Sequence, residues 1–70
     1  MKSSSYRAPA LDKGLDIIEL LSKSDIGLTQ AKIATYLNKS VNEIYRMLNT
    51  LRERNYLEFD SSTDQYRLSF

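Results

Sequence analysis

The chain has 70 residues, 41% of them hydrophobic, and a net charge of +1; this length supports one small core and excludes a second domain. It contains neither cysteine nor histidine, so it lacks a thiol nucleophile, the commonest general base and the usual zinc ligands, and we expect no enzyme activity, metal or cofactor. The near-neutral charge attracts nucleic acid only weakly, so any such binding must come from a local arrangement of cations.

The N-terminal segment, residues 1–8, is polar and is predicted to form a flexible arm before a single domain at residues 9–70. No apolar run approaches the roughly 20 residues that span a bilayer, and the N-terminus lacks the apolar core of a signal peptide. The lack of cysteine fits a reducing compartment. We therefore expect a cytoplasmic location and no membrane partner.

A first helix is predicted over residues 10–23, with Pro9 suited to its first turn. Apolar residues recur along it at helical spacing: Leu11, Leu15, Ile18 and Leu21. Ile17 and Leu20 widen this stripe beyond the need of one small core, so we expect them to be partly exposed. Gly14 lowers the stability of a helix by up to about 1 kcal/mol relative to alanine, which suggests close approach by another backbone.

A second helix is predicted after a possible short strand at Leu28. Thr29 can cap this helix with its hydroxyl oxygen, and three apolar residues then lie on one face: Ile33, Ala34 and Leu37. Residues 38–40 form the turn that follows. The turn is too short for the next helix to lie antiparallel to this one.

A third helix is predicted from Val41 to about residue 54. It begins with a capping box, because Ser40 is followed three residues later by Glu43. At about 100° per residue its apolar side chains share one arc: Val41, Ile44, Met47, Leu48 and Leu51. The opposite face carries side-chain types that hydrogen-bond base edges and phosphates: Asn42, Arg46 and Asn49. This pattern predicts a helix-turn-helix with a candidate recognition helix.

A C-terminal hairpin is predicted after Asn55, which can adopt the left-handed conformation that ends a helix. Apolar and polar residues alternate over 57–59 and 66–69, and the turn-forming residues 60–65 lie between them. Three helices, a possible small strand and a hairpin indicate a mainly α fold, the winged helix-turn-helix. The hairpin, about residues 56–69, is its wing.

Four motifs resemble the N-terminal DNA-binding domain of IclR-type bacterial transcription regulators: the opening ALDKGLDIIELL, the LT-x-x-x-IA start of the second helix, the YR-x-L-x-TL run of the third, and the YLE…YRLS hairpin. The resemblance covers nearly the whole chain. Asn38 and Asn55 stand where the family usually has glycine, and Lys32 stands where an acidic residue is common. Asparagine tolerates a left-handed conformation, so we expect the fold to persist.

The resemblance and the helix pattern together predict the DNA-binding residues. Asn42 and Arg46 are expected to contact DNA in the major groove. Glu43 has either a capping role, which we favour, or a contact with a cytosine amine, and Tyr45 either packs against the core or donates to a phosphate. Further backbone contacts are expected from Lys39, Ser40, Asn49 and Thr50, with Arg67 as the best cation of the wing.

The resemblance implies that the partner is a double-stranded DNA operator. It also implies a homodimer, and the surplus apolar surface at Ile17 and Leu20 leads us to expect that the contact is through the first helix. The resemblance further implies a small-molecule effector that acts only through a C-terminal effector-binding domain absent from this chain. The alternative is a winged helix that serves as a protein-interaction module without DNA binding, which the near-neutral charge favours. The polar outer face of the third helix favours DNA, because a protein interface requires aromatic or aliphatic anchors.

Overall fold

The computed structural model describes residues 8–69, so most of the predicted arm lies outside the described residues. The elements follow in chain order: α1 Pro9–Ser22, β1 Leu28–Thr29, α2 Gln30–Leu37, α3 Val41–Glu53, β2 Leu57–Asp60 and β3 Gln65–Leu68. The predicted helices, short strand and hairpin are confirmed. Within the described residues no helix has both the length and the apolar character needed to cross a membrane.

The helix ends have the polar groups that the sequence predicts. The Thr29 hydroxyl accepts from the Lys32 amide at 3.2 Å. Asn38 and Asn55 have φ angles of 55° and 71°, in the left-handed region. The amide of the residue after each asparagine donates to the carbonyl five residues earlier, at 3.0 Å for Lys39 and 2.9 Å for Tyr56. Both helices therefore end in a hydrogen-bonded left-handed turn.

The three strands form one antiparallel sheet in the order β1-β3-β2. In the hairpin Leu57 is opposite Leu68, and Phe59 is opposite Tyr66. Asp60 holds the turn, since its carboxylate accepts from the Ser62 amide at 2.9 Å and from the Ser62 hydroxyl at 2.6 Å. These bonds lower the pKa of Asp60 below its usual value.

One core joins the helices to the sheet. Its fully buried side chains are Ile17, Ile33, Ile44 and Leu48. Leu57 and Tyr66 close it from the sheet. The predicted apolar arc of α3 is confirmed at Ile44 and Leu48, which are both 0% exposed. Tyr66 was not predicted as a core residue, yet only 5% of it is exposed.

Three predictions about the helices are wrong. Ile17 is 0% exposed, whereas Leu11 and Leu15 are 61% and 43% exposed. The first helix is therefore rotated from the predicted orientation, because the face that meets α3 and β3 is the one that carries Ile17. No atom of the described chain outside the helix backbone lies within 4 Å of a Cβ placed on Gly14, so no backbone approaches there. Val41, the first residue of α3, is 48% exposed rather than buried.

Candidate nucleic-acid interface

The outward face of α3 carries Asn42 and Arg46, and both are exposed. Ile44 and Leu48, on the opposite side of the helix, are 0% exposed. The core therefore fixes the rotation of α3 and leaves the polar face open to a partner. Arg46 forms no ion pair with any residue between 8 and 69, so its donors remain available.

Glu43 has two structural partners. One carboxylate oxygen accepts from the Ser40 amide at 3.4 Å, while the Ser40 hydroxyl accepts from the Glu43 amide at 3.2 Å, which completes the predicted capping box. The other oxygen accepts from the Lys13 ammonium and thereby joins α3 to α1. The hydrogen bond from Lys13 lowers the pKa of Glu43, and the bond from Ser40 lowers it further. These contacts favour the structural role of Glu43.

The other predicted residues of the helix pair lie around this face. Three are exposed: Lys39, Ser40 and Thr50. Asn49 is partly buried, and Tyr45 is 48% exposed. Tyr45 and Asn49 both line a cleft beside α3.

Arg67 is not close to the α3 residues in this arrangement. Successive side chains of a strand point to opposite faces of a sheet. Tyr66 faces the core, so the exposed Arg67 lies on the other face, opposite Glu58 in the register. Acidic neighbours, including Asp60, share its recess. Arg67 is therefore separated from the polar face of α3.

A cleft of about 610 Å³ lies between the start of α2, one flank of α3 and the sheet. Arg52 and Tyr66 line it together with Tyr45 and Asn49. The guanidinium carbon of Arg52 is 4.8 Å from the centre of the Phe59 ring. Arg52 is exposed at the end of α3, and its guanidinium packs on a ring of the wing.

Sequence reasoning missed Arg52 and Tyr66 as residues of the site. One signal pointed to Arg52, since Tyr45, Asn49 and Arg52 follow each other at helical spacing and so share a flank of α3. Tyr66 had no such signal. Its ring centre lies 4.8 Å from that of Phe59, a pairing that depends on the register of the hairpin.

Known proteins resemble the chain in both sequence and fold. The family model for the IclR helix-turn-helix domain matches residues 10–61. The HTH-type transcriptional regulator BhcR of Paracoccus denitrificans (strain Pd 1222) is 39% identical over 59 residues, which are 84% of this chain and 21% of that protein. The chain thus spans about a fifth of the length of this curated relative.

Crystal structures of larger proteins contain the same fold. An IclR transcriptional regulator from Alicyclobacillus acidocaldarius superposes with a TM-score of 0.88 at 24% identity, over 93% of this chain and 26% of that one. An IclR family transcriptional regulator from Brucella abortus superposes with a TM-score of 0.86 at 22% identity, over 96% of this chain and 26% of that one. The Agobacterium tumefaciens repressor BlcR superposes with a TM-score of 0.78 at 22% identity, over 89% of this chain and 25% of that one. At these identities the likeness shows the fold alone.

Proposed function

The chain belongs to the IclR helix-turn-helix domain family, a family of DNA-binding domains of transcription regulators, and we propose that it binds a double-stranded DNA operator in a sequence-specific manner. In this proposal α3 lies in the major groove and the wing follows the backbone. The observation that carries the proposal is the exposed polar face of α3, with Asn42 and Arg46 opposite the fully buried Ile44 and Leu48.

The chemistry of this face suits base recognition. Arginine can donate two hydrogen bonds to guanine, and asparagine can both donate to and accept from adenine. A protein-interaction surface would instead present aromatic or aliphatic anchors at its centre. The outer face of α3 presents Asn42 and Arg46, with Tyr45 beside them as its aromatic side chain. Because Asn42 and Arg46 are polar, we favour DNA over a protein partner for α3.

Contacts with the DNA backbone would orient the domain. We assign them to the exposed residues around α3, namely Lys39, Ser40, Tyr45 and Thr50, together with the partly buried Asn49. Arg67 could contact only a DNA strand that passes the outer face of the wing. We leave Glu43 in its capping role, because a contact with a cytosine amine would compete with Ser40 and Lys13.

The experiment is selection of binding sites from a randomised duplex library by the purified chain, followed by affinity measurements on Arg46→Ala. Loss of a base contact should weaken cognate binding by about 1 to 3 kcal/mol and relax specificity, with little change in thermal stability. Arg54→Ala is the matched control, since it removes the same charge from the exposed end of α3. Equal specificity in the two variants would contradict the assignment of Arg46.

We also propose a homodimer through α1, because one recognition helix covers too few base pairs for a unique site. Leu11 and Leu15 are the exposed apolar pair on this helix. Sedimentation at high micromolar concentration should detect self-association that Leu15→Glu removes. A strictly monomeric chain with equal affinity for half and full operators would refute the dimer. A small-molecule effector would act through a C-terminal domain outside this chain.

A further inference from the structure

The cleft beside α3 contains a hydroxyl group that the fold leaves without a partner. Tyr66 is 5% exposed, and its hydroxyl makes no hydrogen bond with residues 8–69. No side-chain oxygen or nitrogen of the described residues is both fully buried and unpaired. The Tyr66 hydroxyl therefore keeps some exposure to solvent, and Tyr66 lines the cleft. Burial raises the pKa of Tyr66, so at neutral pH the hydroxyl is protonated and can donate.

Arg52 supplies a cation at the same cleft. Its guanidinium lies over the ring of Phe59 at 4.8 Å, and the described part of the chain offers it no ion pair. Stacking on an aromatic face leaves the N–H groups at the edge of a guanidinium free to donate. The ring also restricts the side chain, so less conformational freedom is lost when an anion binds.

Other donors surround these two. Tyr45 and Asn49 line the cleft from α3, and the first turn of α2 lies on its other side. The first amides of an α-helix have no carbonyl partner within the helix. Asp64 is the acidic residue of the lining and would oppose an anion. Its φ of 58° is left-handed, a conformation that asparagine also tolerates, so its charge can be removed by Asp64→Asn.

We propose that this cleft binds one backbone phosphodiester of the operator, with the Arg52 guanidinium and the Tyr66 hydroxyl as its donors. The inference rests on the proposed function. A helix in the major groove has a sugar-phosphate strand on each side. The flank of α3 with Tyr45, Asn49 and Arg52 borders the outward face, so one of these strands would pass over the cleft.

The test uses variants that remove one donor each. Tyr66→Phe keeps the buried ring and removes the hydroxyl, and Tyr36→Phe is its control, since Tyr36 is 66% exposed on α2 and does not line the cleft. We expect Tyr66→Phe to weaken binding roughly three- to tenfold on cognate and unrelated duplexes alike, because a phosphate contact carries no sequence information. Tyr36→Phe should bind as wild type does.

Arg52→Gln provides a second measurement that does not alter the core. The plot of log affinity against log salt concentration has a negative slope. Arg52→Gln should make this slope less negative by about 0.9, as expected for the loss of one phosphate contact. Arg54→Gln, with the same charge change outside the cleft, should leave the slope nearly unchanged. Asp64→Asn should raise affinity on all duplexes.

The outcomes separate the inference from the proposed function. Wild-type protein without DNA binding would overturn the proposed function and this inference with it. Wild-type binding with Tyr66→Phe and Arg52→Gln equal to their controls would overturn the phosphate site alone. Titration with inorganic phosphate, followed by NMR of the Arg52 side chain, tests for a free-anion site. Phosphate binding there without any effect of either variant on DNA affinity would also overturn the inference.

Discussion

Gly27 is the position where an added methyl group should destabilise the fold. It is buried in the loop before β1. A Cβ at this position would lie 2.9 Å from the Cβ of Gln65 and 3.0 Å from the carbonyl oxygen of Tyr66. Both atoms belong to the backbone or adjoin it, so relief requires a shift of β3. Overpacking of this kind costs about 1 to 3 kcal/mol. Alanine also reduces the conformational freedom of the unfolded chain, which stabilises the folded state by about 0.4 to 1 kcal/mol.

Gly27→Ala should therefore lose about 0.5 to 2 kcal/mol of the free energy of unfolding. In a domain of this size each kcal/mol changes Tm by about 4 to 8 °C. Gly14→Ala is the matched control, because a Cβ there meets no described atom within 4 Å beyond the helix's own backbone. Gly14→Ala should raise the free energy of unfolding by about 0.5 to 1 kcal/mol, because alanine is more stable than glycine inside a helix. Thermal and urea unfolding followed by far-UV circular dichroism measure both, and equal stability of the two variants would refute the reasoning.

Two further variants test the core and the link between α1 and α3. Leu48→Ala should be largely unfolded at room temperature by circular dichroism. Truncation of this leucine, which is 0% exposed, costs about 2 to 5 kcal/mol, comparable to the whole stability of a small domain. A thermal unfolding curve close to that of wild type would contradict the packing. Glu43→Gln should lower Tm at neutral pH, because Lys13 and Ser40 lower the pKa of Glu43 and so stabilise the folded state when the carboxylate is ionised. That stabilisation is present above the ordinary pKa of glutamate and is lost as the pH falls through the lowered value, so the Tm difference should close in acid; a difference independent of pH would contradict it.

The boundaries of the elements could be predicted because local chemistry determines them. The capping box at Ser40 is a local signal that marks the start of α3. Asn38 and Asn55 stop helices at left-handed positions that few other residues tolerate. Asp64, also left-handed, was missed because the turn-forming run 60–65 offers several residues suited to that conformation.

The rotation of α1 could not be predicted from its sequence. Its apolar residues cover so wide an arc that either of two faces could meet the core, and only contact with α3 and β3 selects the one with Ile17. Gly14 then lies in a helix with no near neighbour, and Leu11 and Leu15 are left exposed. The narrower arc of α3 allowed a correct prediction of its buried centre at Leu48, while Val41 at the margin was placed wrongly.

The cleft shows why a binding surface is harder to predict than an element. Tyr66 lies on β3, the central strand, which pairs with both β1 and β2. It lines the cleft together with residues of α3. The register then stacks Phe59 against Tyr66, and Arg52 against Phe59. One stack therefore attaches the wing to the end of α3 and also positions the donors of the proposed phosphate site. Under this proposal, a change that loosens the packing of Phe59 should shift the wing and also weaken affinity for the DNA backbone.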